Sequence, residues 1–140
     1  MELKVKRIHP EAKLPLYHHK GDAGLDLFSV IDYVLQVKEV KPVPTGIKIA
    51  VPEGYVGLIW DKSGLSLRGV HRLAGVVDSG YRGEVQVVLV NLGSEPFSIQ
   101  KGMKIAQLLI QPVEEMKVVL SEDLEETSRG ENGFGSTGLY

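Results

Sequence analysis

Apolar and polar residues alternate with a period of two along most of this chain, in short runs cut by glycine and proline. Residues 47–51 show it cleanly: Ile47, Ile49 and Val51 share one face, with Lys48 on the other. Pro52-Glu53-Gly54 then turns the chain into a second strand over 55–60. Val76 and Val77 run into Asp78-Ser79-Gly80-Tyr81-Arg82-Gly83, a hairpin signal, with 85–91 as the returning strand. With 3–8, 25–30, 33–37 and 105–112 the pattern predicts a set of about ten short strands. Two stretches break the alternation. Residues 63–69 predict one or two helical turns opening at a serine cap. Val113, Met116, Leu120 and Leu124 have helical spacing, but Met116, Val118 and Leu120 also alternate, and a strand is expected there. The expected architecture is an all-β barrel or jelly roll over 1–128, whose open edges invite burial against copies of itself. Residues 129–140 have no apolar period and read as a mobile C-terminal arm.

Composition narrows the function. The chain has 140 residues, 43% apolar and 24% charged, enough for one domain with a real core. A net charge of −2 and an isoelectric point near 6.1 argue against a general nucleic-acid or membrane-surface binder, so any anion must be met locally. With no cysteine there is no disulfide, thiol nucleophile or thiolate-bound zinc. His9, His18, His19 and His71 have no metal-ligand spacing, and the neighbouring pair is expected in a surface loop. With no signal-peptide pattern or membrane-length apolar run, a cytoplasmic location is expected.

Five segments carry chemistry. In Asp22-Ala23-Gly24-Leu25-Asp26 a carboxylate at a strand start can take waters from a bound Mg²⁺, or merely cap its own turn. Lys62-Ser63-Gly64 offers a cation, a hydroxyl and free backbone N–H groups to a phosphate, or is a plain cap with a solvated lysine. Around Gly75-Val76-Val77-Asp78, a carboxylate at the end of an apolar strand can hold and deprotonate a water. Tyr81, three residues on, presents a flat ring, and free strand groups can read a base edge. Gln107, inside an apolar strand, needs a partner in backbone or phosphate. In the tail, Arg129 can fork onto phosphate and Phe134 can cover a base. Its glycines, Gly135 among them, let N–H groups converge on an anion beside Ser136 and Thr137.

In this order and spacing the five segments resemble the motifs of the trimeric deoxyuridine triphosphatases, the dUTP pyrophosphatases, over nearly the whole chain. The resemblance implies a jelly-roll homotrimer that hydrolyses dUTP to dUMP and pyrophosphate with Mg²⁺. It implies three active sites shared between subunits. One subunit gives Asp26, Lys62, Ser63, Gly64 and Gln107, a second gives the hairpin, and a third gives the arm. It assigns uracil to Gly75, Val76, Val77 and Gln86, exclusion of a ribose hydroxyl to Tyr81, and the attacking water to Asp78. Phosphates fall to Ser63, Gly64, Arg129, Ser136 and Thr137, stacking on the base to Phe134, and a water-mediated contact with the metal to Asp26.

Two positions depart from the family pattern. Lys62 stands where arginine is usual, which keeps the charge but loses the bidentate fork. Arg72 stands where many members have asparagine. Two other functions fit part of the pattern: a dCTP deaminase (or a bifunctional deaminase and triphosphatase) of the same fold, and a silent dUTP-sensing module. The deaminase needs a glutamate set to activate water, and Glu84 is the candidate.

Overall fold

The computed structural model describes all of residues 1–140 and is built almost wholly from strands. They are β1 Lys4–Arg7, β2 Leu25–Phe28, β3 Tyr33–Leu35, β4 Val40–Pro44, β5 Ile47–Ala50 and β6 Tyr55–Trp60. After a single helical turn, α1 Ser63–Ser66, come β7 Val70–Leu73, β8 Val76–Val77, β9 Gln86–Asn91, β10 Phe97–Ile99 and β11 Lys104–Pro112. All pairings are antiparallel: β2-β11-β6-β8 form one sheet, β4-β9-β7 another, with the smaller pairs β1-β5 and β10-β3 closing the barrel. The alternating positions read from the sequence point inward. Ile47, Ile49, Ile59, Val87, Leu89, Ile105 and Leu108 all belong to one buried core.

Two sheets meet where the site forms. The segment after β7 leaves the β9 sheet at Ala74 and Gly75 and joins β6 as β8, with Gly57 opposite Val77. Both crossing residues have positive φ, 58° and 119°, and a side chain on Gly75 would run into the Ile59 carbonyl. The hairpin expected around Asp78 is therefore splayed. Its arms, β8 and β9, pair with different neighbours and not with each other.

Other departures have simple causes. Residues 113–124 form no strand, because no edge of their own barrel receives them. The cap of α1 falls on Lys62, one residue before the expected serine, and makes no side-chain cap bond. The alternation missed β4, whose Pro42 and Pro44 read as breakers, and the short β7 and β10.

Candidate active site

A single row across three strands sets the first part of the site. Asp26 of β2 lies opposite Gln107 of β11, which lies opposite Trp60 of β6. From that row the chain turns through Asp61 and Lys62 into α1. The result is an open cavity of about 470 Å³ lined by Asp22, Gly24, Asp26, Asp61, Lys62, Ser63 and Gln107, among others. Asp26 is 1% exposed, and its two carboxylate oxygens meet Lys62 Nζ at 2.7 Å and Lys104 Nζ at 2.8 Å. Burial alone would push its pKa up. Hydrogen bonds and charge from Lys104 and Lys62 outweigh that and hold the carboxyl below its ordinary value. Lys62 is the one cation in the lining, beside the carboxylates of Asp22, Asp26 and Asp61, so an anion here is met locally by that ammonium group and not by a positive wall. Gln107 finds the backbone partner: its Nε2 donates to the Asp61 carbonyl at 2.8 Å. Gly24 is required beside it, because any Cβ there would overlap Gln107.

The second part is the slot left by the splayed arms. It holds about 210 Å³ and is lined by Ile59, Ala74, Gly75, Val76, Val77, Asp78, Tyr81, Glu84, Val85 and Gln86. That is below the roughly 300–1,000 Å³ of a pocket for a whole drug-sized ligand, so it takes a portion such as a base. Val76 is largely exposed and Asp78 sits exposed at the end of β8. The Tyr81 hydroxyl donates to the Glu84 carbonyl at 2.9 Å, and the ring lies so close to Gly83 that a Cβ there would overlap its hydroxyl. Glu84 Oε1 accepts the Gly46 N–H at 2.8 Å, which ties its carboxylate to the barrel wall. The slot and the cavity beside Asp26 share no residue.

Arg129, Phe134, Gly135, Ser136 and Thr137 are not brought to either cavity. Beyond Val113, whose N–H reaches the Gly54 carbonyl, every backbone hydrogen bond of the tail is local. Arg129 Nε donates to the nearby Asn132 carbonyl, and Phe134, with φ 45°, is fully exposed. His18 and His19 lie exposed in a turn, with His18 Nδ1 3.1 Å from Lys104 Nζ. Three contacts went unforeseen from the residue pattern: Lys104 on Asp26, the Asp61–His71 contact, and Arg72 stacked over Trp60 at 4.9 Å. Only the proximity of Lys104 to Gln107 along one strand could have suggested the first.

No three His, Asp or Glu side chains converge to cage a metal. A hard cation carried in by phosphates, keeping most of its own water, fits this donor set better than one held by protein.

An all-β barrel with a base-sized slot and a separate polar cavity that holds Lys62 and Ser63 is equipped to handle a nucleotide. The chain belongs to the dUTPase family, whose model matches residues 10–138. It is 52% identical to the deoxyuridine 5′-triphosphate nucleotidohydrolase of Clostridium kluyveri over 99% of both chains. It is 43% identical to the enzyme of the same name from Zymomonas mobilis, again over 99% of each. Among solved structures, a point mutant of the Staphylococcus bacteriophage 80alpha dUTPase with dUpNHpp matches with a TM-score of 0.89 and 30% identity, covering 99% of each chain. A mutant dUTPase from phage phi11 of S. aureus, described with a structural Mg(II) ion, matches with a TM-score of 0.82 and 28% identity over 90% of this chain and all of that one.

Proposed function

We infer that this protein hydrolyses dUTP to dUMP and pyrophosphate. One arrangement carries the assignment: a base-sized slot with an exposed carboxylate, Asp78, and an aromatic ring, Tyr81, at its mouth. Uracil enters between the splayed strands, where backbone of Val76, Val77 and Gln86, facing no partner strand there, reads its edge. Gly75 keeps the passage open, and the Tyr81 ring meets C2′ of the sugar, so a ribose hydroxyl is refused. Asp78 orients a water in line with the α-phosphorus and accepts its proton. The new P–O bond forms as the bond to the bridging oxygen breaks, and pyrophosphate leaves with the electron pair.

Lys62, Ser63, Gly64 and Gln107 line the phosphate cavity. Mg²⁺ carried by the triphosphate would supply charge neutralisation at the phosphate oxygens, and Asp26, the buried carboxylate on that cavity's wall, would face it through water. The geometry supports a trimer. The cavity and the slot are separate in one protomer, and the tail leaves its own barrel with Val113, Met116, Val118 and Leu120 exposed. A second subunit then brings its slot to the first one's phosphate cavity, and a third brings Arg129, Phe134, Gly135, Ser136 and Thr137. Closure of that arm excludes bulk water and aligns the phosphates.

Cytosine deamination is disfavoured because Asp78 and Tyr81 at the slot fit the triphosphatase pattern, while Glu84 turns one carboxylate oxygen to the Gly46 N–H. The test is product release from dUTP, dTTP, dCTP and UTP side by side, with and without Mg²⁺. Pyrophosphate from dUTP alone, dependent on Mg²⁺, is expected. Ammonia from dCTP, or equal cleavage of all four, would overturn the assignment.

A further inference from the structure

Asp61 is the residue on which the walls of the phosphate cavity converge. Its Oδ1 accepts the Arg72 backbone N–H at 2.7 Å, and its Oδ2 lies 2.7 Å from His71 Nδ1, so the carboxylate is held twice by β7. Its carbonyl accepts from Gln107 Nε2, which fixes the side chain that Gly24 packs against. Directly after it comes Lys62, the cap of a one-turn helix that has no side-chain cap bond of its own. A four-residue helix cannot hold its own orientation, because helix formation needs more than a turn to repay its nucleation. Something outside the turn must fix where Lys62, Ser63 and Gly64 point.

We propose that Asp61 is a positioning residue for triphosphate binding: by clamping the turn to His71 and Arg72, it sets the phosphate cavity before substrate arrives. This role presupposes the substrate assigned above. It touches the base slot only indirectly. The Arg72 guanidinium reaches the Ala74 carbonyl at 2.7 Å and stacks over Trp60, and neither contact uses Asp61. Loss of the clamp should therefore weaken phosphate recognition and spare base recognition, which a general loss of stability would not do.

The measurement is equilibrium binding of dUpNHpp and of deoxyuridine, which has no phosphate, with a thermal melt of each protein. Wild-type binding of dUpNHpp checks the substrate assignment, and the ratios between variants check Asp61. Asp61→Ala removes both side-chain contacts and is expected to weaken dUpNHpp about tenfold, deoxyuridine less than about twofold. Asp61→Asn is expected to restore most of the difference, since its Oδ1 still accepts from Arg72 and its amide donates to the other tautomer of His71. If Asp61→Ala proves unfolded, His71→Ala carries the test. It keeps the Arg72 bond and should show the same selective loss, about threefold. Unchanged dUpNHpp binding, equal losses for both ligands, or an asparagine variant as weak as the alanine one would overturn the role.

Discussion

The corner around Asp26 and the last twelve residues are assigned to the same phosphates, yet they are built in opposite ways. The corner is finished within one protomer: a buried carboxylate braced by two lysines, a glutamine tied to backbone, and a turn clamped to the next strand. The tail has arginine, hydroxyls and glycines of the right chemistry, but it bonds only to itself and Phe134 stands fully in solvent. Rigid parts can select a substrate that then draws flexible parts over it, so binding and turnover should separate when the two are disturbed in turn.

The sharpest disturbance is at the point both regions serve. Asp78→Asn is expected to lower pyrophosphate release by about 10²–10⁴-fold while dUpNHpp still binds, because it removes the base and leaves both phosphate walls intact. Removing residues 129–140 should cut kcat by roughly 100-fold and leave the melting temperature unchanged, since those residues make no contact their own barrel depends on. A truncated protein with full turnover would erase the distinction between corner and tail.

Asp26→Asn reverses that pattern, acting on stability first. It takes the carboxylate from two lysines that are themselves part-exposed and can turn to water, and a loss of about 1.5–3 kcal/mol is expected by denaturant titration. The sign with pH follows from the depressed pKa. The folded-state value lies below the unfolded one, about 3.9 for aspartate, so the contribution is complete above about pH 4. It is lost progressively as pH falls from the unfolded-state value through the folded-state one, and the stability gap between wild type and variant should narrow over that interval. A gap that is constant from pH 3 to 7, taken as roughly the span across that transition, would contradict the ion-pair explanation.

The smallest effect belongs to the slot. Gly83→Ala should displace the Tyr81 ring without unfolding the chain, and discrimination of dUTP against UTP in kcat/KM should fall about tenfold.

How much of this was legible in the residues follows from what each feature depends on. Strands with one face in the core announce themselves by alternation, as 47–51 and 55–60 do, because burial sets the period. The strand expected at Met116, Val118 and Leu120 shows the limit of that rule. Alternation gives a face that wants cover, not the edge that supplies it, and in one protomer the segment stays extended and exposed. β4 went the other way: Pro42 and Pro44 punctuate the sequence, yet both sit in a strand at the edge of its sheet. The site's motifs were visible as residue types at fixed spacing. The bonds that set them were not, because Asp26 with Lys104, or Asp61 with Gln107, join residues distant in sequence through pairing of β2, β6 and β11.

A mixing experiment tests most directly whether the slot that carries Asp78 and the tail of a different protomer make one site. Asp78→Asn protein and protein lacking residues 129–140 are each assayed alone, then unfolded together in equal amounts, refolded and assayed again. Random assembly should recover about a quarter of wild-type activity, because each site then draws an intact Asp78 and an intact arm independently from different subunits. A mixture no more active than the better of the two parents would contradict the shared site.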